Sequence, residues 1–139
     1  MLRFTGRLIR SGGWWAVEVP LLGIYTQGRT KKDAYAMVAD AVECLVNRKG
    51  FKVQVFPGDS NYFEVGSDTV APLVARFLQH QRHQAGLTLV EVARRLGSAS
   101  PNAYARYEQG RCVPSMSKLS KLISVLNDGK GVVIEMPRS

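Results

Sequence analysis

Residues 87–126 constrain the fold more than any other stretch: they spell two short helices joined by a tight turn, then a third helix. Between Thr88 and Leu96 the apolar residues Leu89, Val92, Ala93 and Leu96 recur at helical spacing and define one buried face. Thr88, with Glu91 three residues on, forms a capping box at the entrance, and Gly97 ends the helix. A second helix is predicted from about Pro101 to Gln109, with Ser100 as cap and Pro101 at its first position. Tyr104 and Tyr107, three apart, face inward, which leaves Asn102, Ala103 and Arg106 on the outer face. Gly110 closes that helix, and Pro114-Ser115 opens the periodic MSKLSKLISVL that runs to Leu126.

A helix, a turn and a second helix with a polar, cationic outer face fit the major groove of DNA. The pattern resembles the Xre/lambda-repressor class of helix-turn-helix domains, whose hallmark here is Tyr107-Glu108-Gln109-Gly110-Arg111 followed by Pro114-Ser115. One departure from that class is a turn before Asn102 that is a residue longer than usual. The expected DNA-binding residues are Ser100, Asn102, Ala103 and Arg106, with Arg94, Arg95 and Arg111 directed at the phosphate backbone. A plain helical bundle with no nucleic acid is the competing account, and ordinary surface charge is the competing account of Arg94 and Arg95.

This segment occupies only the second half of 139 residues, so two small domains are expected, 1–66 and 67–139. The formal net charge is +8. Residues 1–67 hold nine basic against six acidic residues, +3, and residues 68–139 hold ten against five, +5. The lean toward the second half is weak support for nucleic acid there. Cys44 and Cys112 have no ligand-like spacing, so no metal or other cofactor is expected, and Cys44 reads as a small core residue. No signal-peptide pattern or membrane-length apolar run is present, which points to a cytoplasmic chain without a membrane partner.

In the first half, LRFTGRLIR (residues 2–10) alternates apolar and polar as a half-buried strand does. Ser11-Gly12-Gly13 is a turn signal, WWAVEV (14–19) is a second strand ended by Pro20, and residues 23–28 make a short third. Thr30 caps a helix to about Asn47 that buries Ala34, Val38, Ala41, Val42 and Leu45. FKVQVF (51–56) is a fourth strand, Pro57–Asn61 a loop, and Tyr62–Val65 a weaker strand candidate. Ser67 or Asp68 should cap the next helix, on which Val70, Leu73, Val74, Phe77 and Leu78 form the buried stripe. Residues 131–136 (GVVIEM) read as a final strand with no sheet of its own, suited to pairing with a second copy. The expected class is α+β: a small sheet with one packed helix, then an all-α helix-turn-helix domain ending in a strand.

GGWWAVEVPLLGIYTQGRTKKDA resembles the N-terminal domain of HicB antitoxins in its Pro20 strand end, its Thr26-Gln27-Gly28-x-Thr30 turn and Ala34 early in the helix. With the helix-turn-helix that follows, the resemblance spans nearly the whole chain. It implies a reduced RNase H-like first domain that blocks a HicA-like mRNA-cleaving toxin, and a second domain that represses the operon by binding double-stranded operator DNA as a homodimer or higher oligomer. Trp14, Trp15, Tyr25 and Gln27 are the candidate toxin-binding residues. Trp14 and Trp15 point to opposite sides of their strand, so one is expected in the core and the other partly exposed.

Two catalytic or metal readings are weaker. A two-metal nuclease needs converging carboxylates; the first strand has none, and the six acids are Glu18, Asp33, Asp40, Glu43, Asp59 and Glu64. Asp33 is accounted for by capping and Glu18 by a solvent-facing position, so the chain is not expected to be an enzyme. His80 and His83, three apart on a helix, can ligate a metal, yet a solvated face among Gln79, Gln81, Arg82 and Gln84 is the plainer account. The best reading is an antitoxin of a type II toxin-antitoxin pair. A stand-alone helix-turn-helix repressor with an N-terminal ligand-sensing domain is the runner-up.

Overall fold

The computed structural model describes residues 1–136 as an antiparallel sheet followed by a helical half. The elements are β1 (Arg3–Ser11), β2 (Trp14–Val19), a 3-10 turn (Pro20–Leu22), β3 (Ile24–Gly28), α1 (Lys31–Val46), β4 (Gln54–Pro57), β5 (Tyr62–Gly66), α2 (Val70–Gln84), α3 (Leu89–Arg95), α4 (Asn102–Glu108) and α5 (Met116–Leu126). The five strands lie in the order β3-β2-β1-β5-β4. The α+β class expected from the residue pattern is what the chain adopts, apart from its last strand.

β1 is the middle strand, with Arg7 opposite Glu18 of β2 and Phe4 opposite Val65 of β5. Its alternation puts Phe4, Gly6 and Leu8 on the face that receives α1 and α2, while Arg3, Thr5 and Arg7 look outward. β5, the faintest strand in the sequence, is paired on both sides, between β1 and β4. β4 starts three residues later than FKVQVF suggests. The Val53 N–H donates to Glu43 Oε2 at 3.0 Å and the Lys52 carbonyl accepts from Ser67 Oγ at 2.7 Å, so side chains take the groups a ladder would have used. The same Ser67 Oγ accepts from Thr69 N–H, and Thr69, not Ser67 or Asp68, stands at the N-cap of α2.

α1 is capped by Thr30 Oγ1, which accepts from Asp33 N–H at 3.0 Å, while Asp33 Oδ2 accepts from Arg29 N–H. Ala34, Val38 and Val42, four apart, lie flat on the sheet. Two expectations for this helix fail. Cys44 is exposed, because two residues past Val42 is about 200° around the helix from the sheet. Leu45 is 54 % exposed and lines a cleft toward α2.

Gly28 sits where β3 passes under the start of α1. A Cβ there would lie 2.5 Å from Ala34 N and 2.7 Å from Ala34 Cα, both backbone atoms that cannot rotate away. This close approach explains the glycine of the TQG turn. Gly28→Ala is expected to lift α1 off the sheet and cost about 1–3 kcal/mol, read as a lowered midpoint in denaturant unfolding.

One buried cluster runs from the sheet through α2 to the helical half. α2 supplies Leu73, Val74, Phe77 and Leu78, with the Phe77 ring 6.0 Å from that of Phe4. Arg76 Nε donates to the Leu22 carbonyl at 2.7 Å. His80 belongs to the same seam: it is half-buried near Gly23, not solvated, and burial first, then Arg76 and His83, hold its pKa below 6.5. His83 is exposed. Residues 131–136 form no strand in the single chain, contrary to the final strand expected, since no unpaired sheet edge of the same chain meets them; Val133, Ile134 and Met136 are exposed. Among the described residues no helix is long and apolar enough to cross a membrane.

Candidate nucleic-acid interface

The helical half is assembled from strong local signals. The Thr88 side chain accepts from Glu91 N–H at 3.1 Å and the Glu91 carboxylate accepts from Thr88 N–H at 3.3 Å, the reciprocal capping box. α3 closes at Gly97, φ +75°, where Ser98 N–H donates to Ala93 O and Gly97 N–H to Arg94 O. That pair of bonds is a Schellman motif, and its left-handed residue is one that glycine adopts without a Cβ penalty. The turn that follows is stitched by serines: Ser98 Oγ donates to Ser100 O, and Ser100 Oγ accepts from Asn102 N–H at 3.2 Å. Ser100 is therefore the functional cap of α4. The helix proper begins at Asn102, one residue later than expected, although Pro101 already has a helical φ of −74°.

Around α4 the faces separate cleanly. Asn102, Ala103 and Arg106 are exposed, Tyr104 is buried and Tyr107 half-buried. Glu108 is also buried, and its carboxylate is held by a guanidinium from α2. Arg82 Nε donates to Glu108 Oε2 at 2.7 Å and Arg82 Nη2 to Oε1 at 3.0 Å, a bidentate pair. Arg82 Nη1 also donates to the Leu87 carbonyl at 3.0 Å, and Gln79 Nε2 donates to Glu108 O at 2.8 Å. The pair fixes α4 against α2 and so sets the tilt of the outward face. The hydroxyl of Tyr104 is buried with no hydrogen-bond partner at normal geometry, and burial, aided by the neighbouring Glu108 carboxylate, pushes its pKa up.

The other candidate DNA-binding residues differ in freedom. Ser100, Arg94 and Arg111 are exposed, and neither arginine has an ion-pair partner among the described residues. Arg95 is tied to the end of α5, its Nη1 3.3 Å from Val125 O and 3.6 Å from Asp128 Oδ1. It braces α3 against α5 and is the least available of the set for a phosphate.

In the sheet, Trp14, Tyr25 and Gln27 share the open face, opposite α1, with Trp14 beneath Arg29 at one end of β2 and Tyr25 opposite Glu18 near the other. A row crosses four strands there, Tyr25 beside Glu18, Glu18 beside Arg7, Arg7 beside Tyr62, with the Arg7–Glu18 ion pair at 2.7 Å. Trp15 does not join them: strand alternation sends it to the helix-bearing face, half-buried beneath Arg10 and Lys31. Tyr62 and Ile9, both exposed on the same open face, had no mark in the sequence as part of it. The acids are dispersed: Glu18 on Arg7, Glu64 on Arg3, Glu43 beside Lys52. Among the described residues no group of three or more His, Cys, Asp or Glu is placed to hold a metal ion.

A search of curated proteins finds no match to the chain. Residues 73–127 match a family model described as a helix-turn-helix domain. That span opens within α2 and takes in α3, the turn, α4 and α5, the elements whose packing and exposed α4 face are described above. Residues 73–127 are therefore a helix-turn-helix domain, and the chain carries a module of the kind that binds DNA in gene regulation.

Proposed function

We propose that the chain is an antitoxin of a type II toxin-antitoxin pair, binding a HicA-like mRNA-cleaving toxin directly and repressing its own operon through operator DNA. The observation that carries the regulatory half is the helix-turn-helix match together with the outward Asn102, Ala103 and Arg106 of α4. The toxin-binding half rests on the resemblance of residues 12–34 to HicB and is supported by the exposure of Trp14, Tyr25 and Gln27 on the open face of the sheet. No catalytic step is assigned: inhibition follows from covering the toxin's active surface in the cytoplasm. Paired half-sites call for a homodimer, and residues 131–136, with exposed Val133, Ile134 and Met136, are its seam in this reading.

Co-expression of the full chain with the product of the adjacent reading frame, followed by pull-down, tests the proposal. The neighbour is expected to be captured, and Tyr25→Asp, which places a charge in the open face without touching the core, is expected to lower capture at least tenfold. Absence of capture by the wild-type chain removes the antitoxin reading and leaves the DNA-binding one. A second reading, a ligand-responsive repressor, is favoured by an apolar cavity of about 470 Å³ between β1, α2 and α5, lined by Phe4, Leu21, Val74, Phe77 and Ile123. Operator release by a small apolar compound, with no protein partner, distinguishes it.

A further inference from the structure

A second cleft, of about 280 Å³, opens where the end of α1 and the side of α2 meet the loop after α4. Three arginines line it from three different elements: Arg48 just past α1, Arg76 on α2, and Arg111 just past α4. None of the three has a carboxylate partner among the described residues. Their hydrogen bonds are to backbone oxygens only, Arg76 to Leu22 at 2.7 Å and Arg48 to Gly110 at 3.5 Å. The carboxylate in the lining, Glu108, already has both oxygens engaged by Arg82 and offers these cations nothing. Neutral amide donors, Asn47, Gln79 and Gln109, complete the polar wall.

The cleft carries an excess of positive charge that an anion would offset. The C-terminal ends of α1 and α4 both reach this cleft, and each contributes about half a negative unit. Against three guanidinium charges that leaves about two positive charges uncompensated. Burial without a carboxylate also lowers the pKa of Arg76, the sign of a cation that has lost water and gained no counter-charge. A single carboxylate ligand would neutralise half of this excess. A phosphate group carries the matching charge and presents several oxygens to guanidinium forks.

We propose that this cleft is a phosphate-binding site in which Arg48, Arg76 and Arg111 jointly hold one phosphate group. Arg48 comes from the sheet half and Arg111 from the helix-turn-helix, so an occupied site clamps the two halves together. The phosphate can come from the DNA backbone flanking α4 or from a free phosphate ester. The DNA source rests on the DNA-binding reading above, whereas the free source does not.

The test uses the full chain, with pyrophosphate as the probe and ionic strength held constant by chloride. Far-UV circular dichroism confirms the fold of Arg48→Ala, an exposed side chain whose one hydrogen bond is long. Lys49→Ala, adjacent but outside the cleft, controls for loss of charge alone. If a free phosphate occupies the site, pyrophosphate raises Tm of the wild type and of Lys49→Ala by roughly 3–5 °C, and Arg48→Ala loses the shift. If the DNA backbone supplies the phosphate, Arg48→Ala lowers the salt slope of duplex binding by about 0.9 more than Lys49→Ala does. Either result supports the site and identifies its source. The proposal is overturned if Arg48→Ala matches Lys49→Ala in both measurements. Should the wild type bind no duplex at all, the DNA-binding reading falls, and the pyrophosphate shift alone decides the site.

Discussion

Replacing Arg82 by alanine is expected to destabilise the chain by about 3–5 kcal/mol, because the Glu108 carboxylate would stay buried with no cation to meet it. For a chain of this length that lowers Tm by roughly 10–20 °C. Glu108→Ala should cost a similar amount by stranding Arg82, although Arg82 keeps its bond to the Leu87 carbonyl and is the less buried partner. The double replacement Arg82→Met with Glu108→Leu should recover most of the loss, since a packed apolar pair carries no desolvation penalty. Thermal unfolding of all three variants makes the comparison, and a double variant as unstable as Arg82→Ala would show that packing, not charge, dominates here. The same pocket gives stability an alkaline limit. Tyr104 holds its proton more tightly folded than unfolded, so its contribution is intact below the phenol's ordinary value of 10.0 and is lost as pH rises beyond it.

Arg106→Ala is expected to flatten the preference for operator over random duplex by a factor of about 10–100, the 1–3 kcal/mol that a bidentate contact to guanine supplies. Arg106 is exposed on the face of α4 opposite Tyr104, so the fold and the sheet's open face should be untouched. Asn102→Ala should act in the same sense if the amide reads adenine. Arg94→Ala belongs to the other class: weaker binding to both duplexes alike and a salt slope smaller by about 0.9. Arg95→Ala should change the slope less than Arg94→Ala and lower stability more, because Arg95 is committed to Val125 O and Asp128. Titration of each variant against operator and scrambled duplex at two salt concentrations separates the classes. Full operator preference in Arg106→Ala would place the reading face elsewhere on α4, with the serine-stitched turn before Asn102 as the cause.

Local signals made the helix-turn-helix legible. The Thr88–Glu91 box, the left-handed glycines at 97 and 110 and the Ser100 and Ser115 caps each involve neighbours within five residues, so the sequence displays both partners of every bond. The inward turn of Tyr104 and outward turn of Arg106 follow from helical pitch alone. Glu108, named in the sequence only as part of the Tyr107–Arg111 hallmark, lies four residues after Tyr104 and so on the same buried face, but nothing nearby announces that its cation is Arg82, twenty-six residues upstream. Strand alternation predicted that Trp14 and Trp15 part, yet not which of them the helices would cover; that depended on which face of the sheet α1 and α2 occupy. The amphipathic pattern also says nothing about residues that serve at seams. Cys44 looks apolar but lies off the Ala34–Val38–Val42 stripe, Leu45 lies on that stripe yet is exposed in the last turn of α1, and His80 looks solvated but meets residues 20–23. By itself the sequence determined most of the elements, the Thr30, Thr88 and Ser115 caps and the outward face of α4, because those depend on contacts a few residues apart. The interior place of β5 between β1 and β4, the Arg82–Glu108 clamp and the gathering of Arg48, Arg76 and Arg111 were decided only by the tertiary structure, because each joins residues far apart in the chain whose meeting depends on how sheet and helices pack.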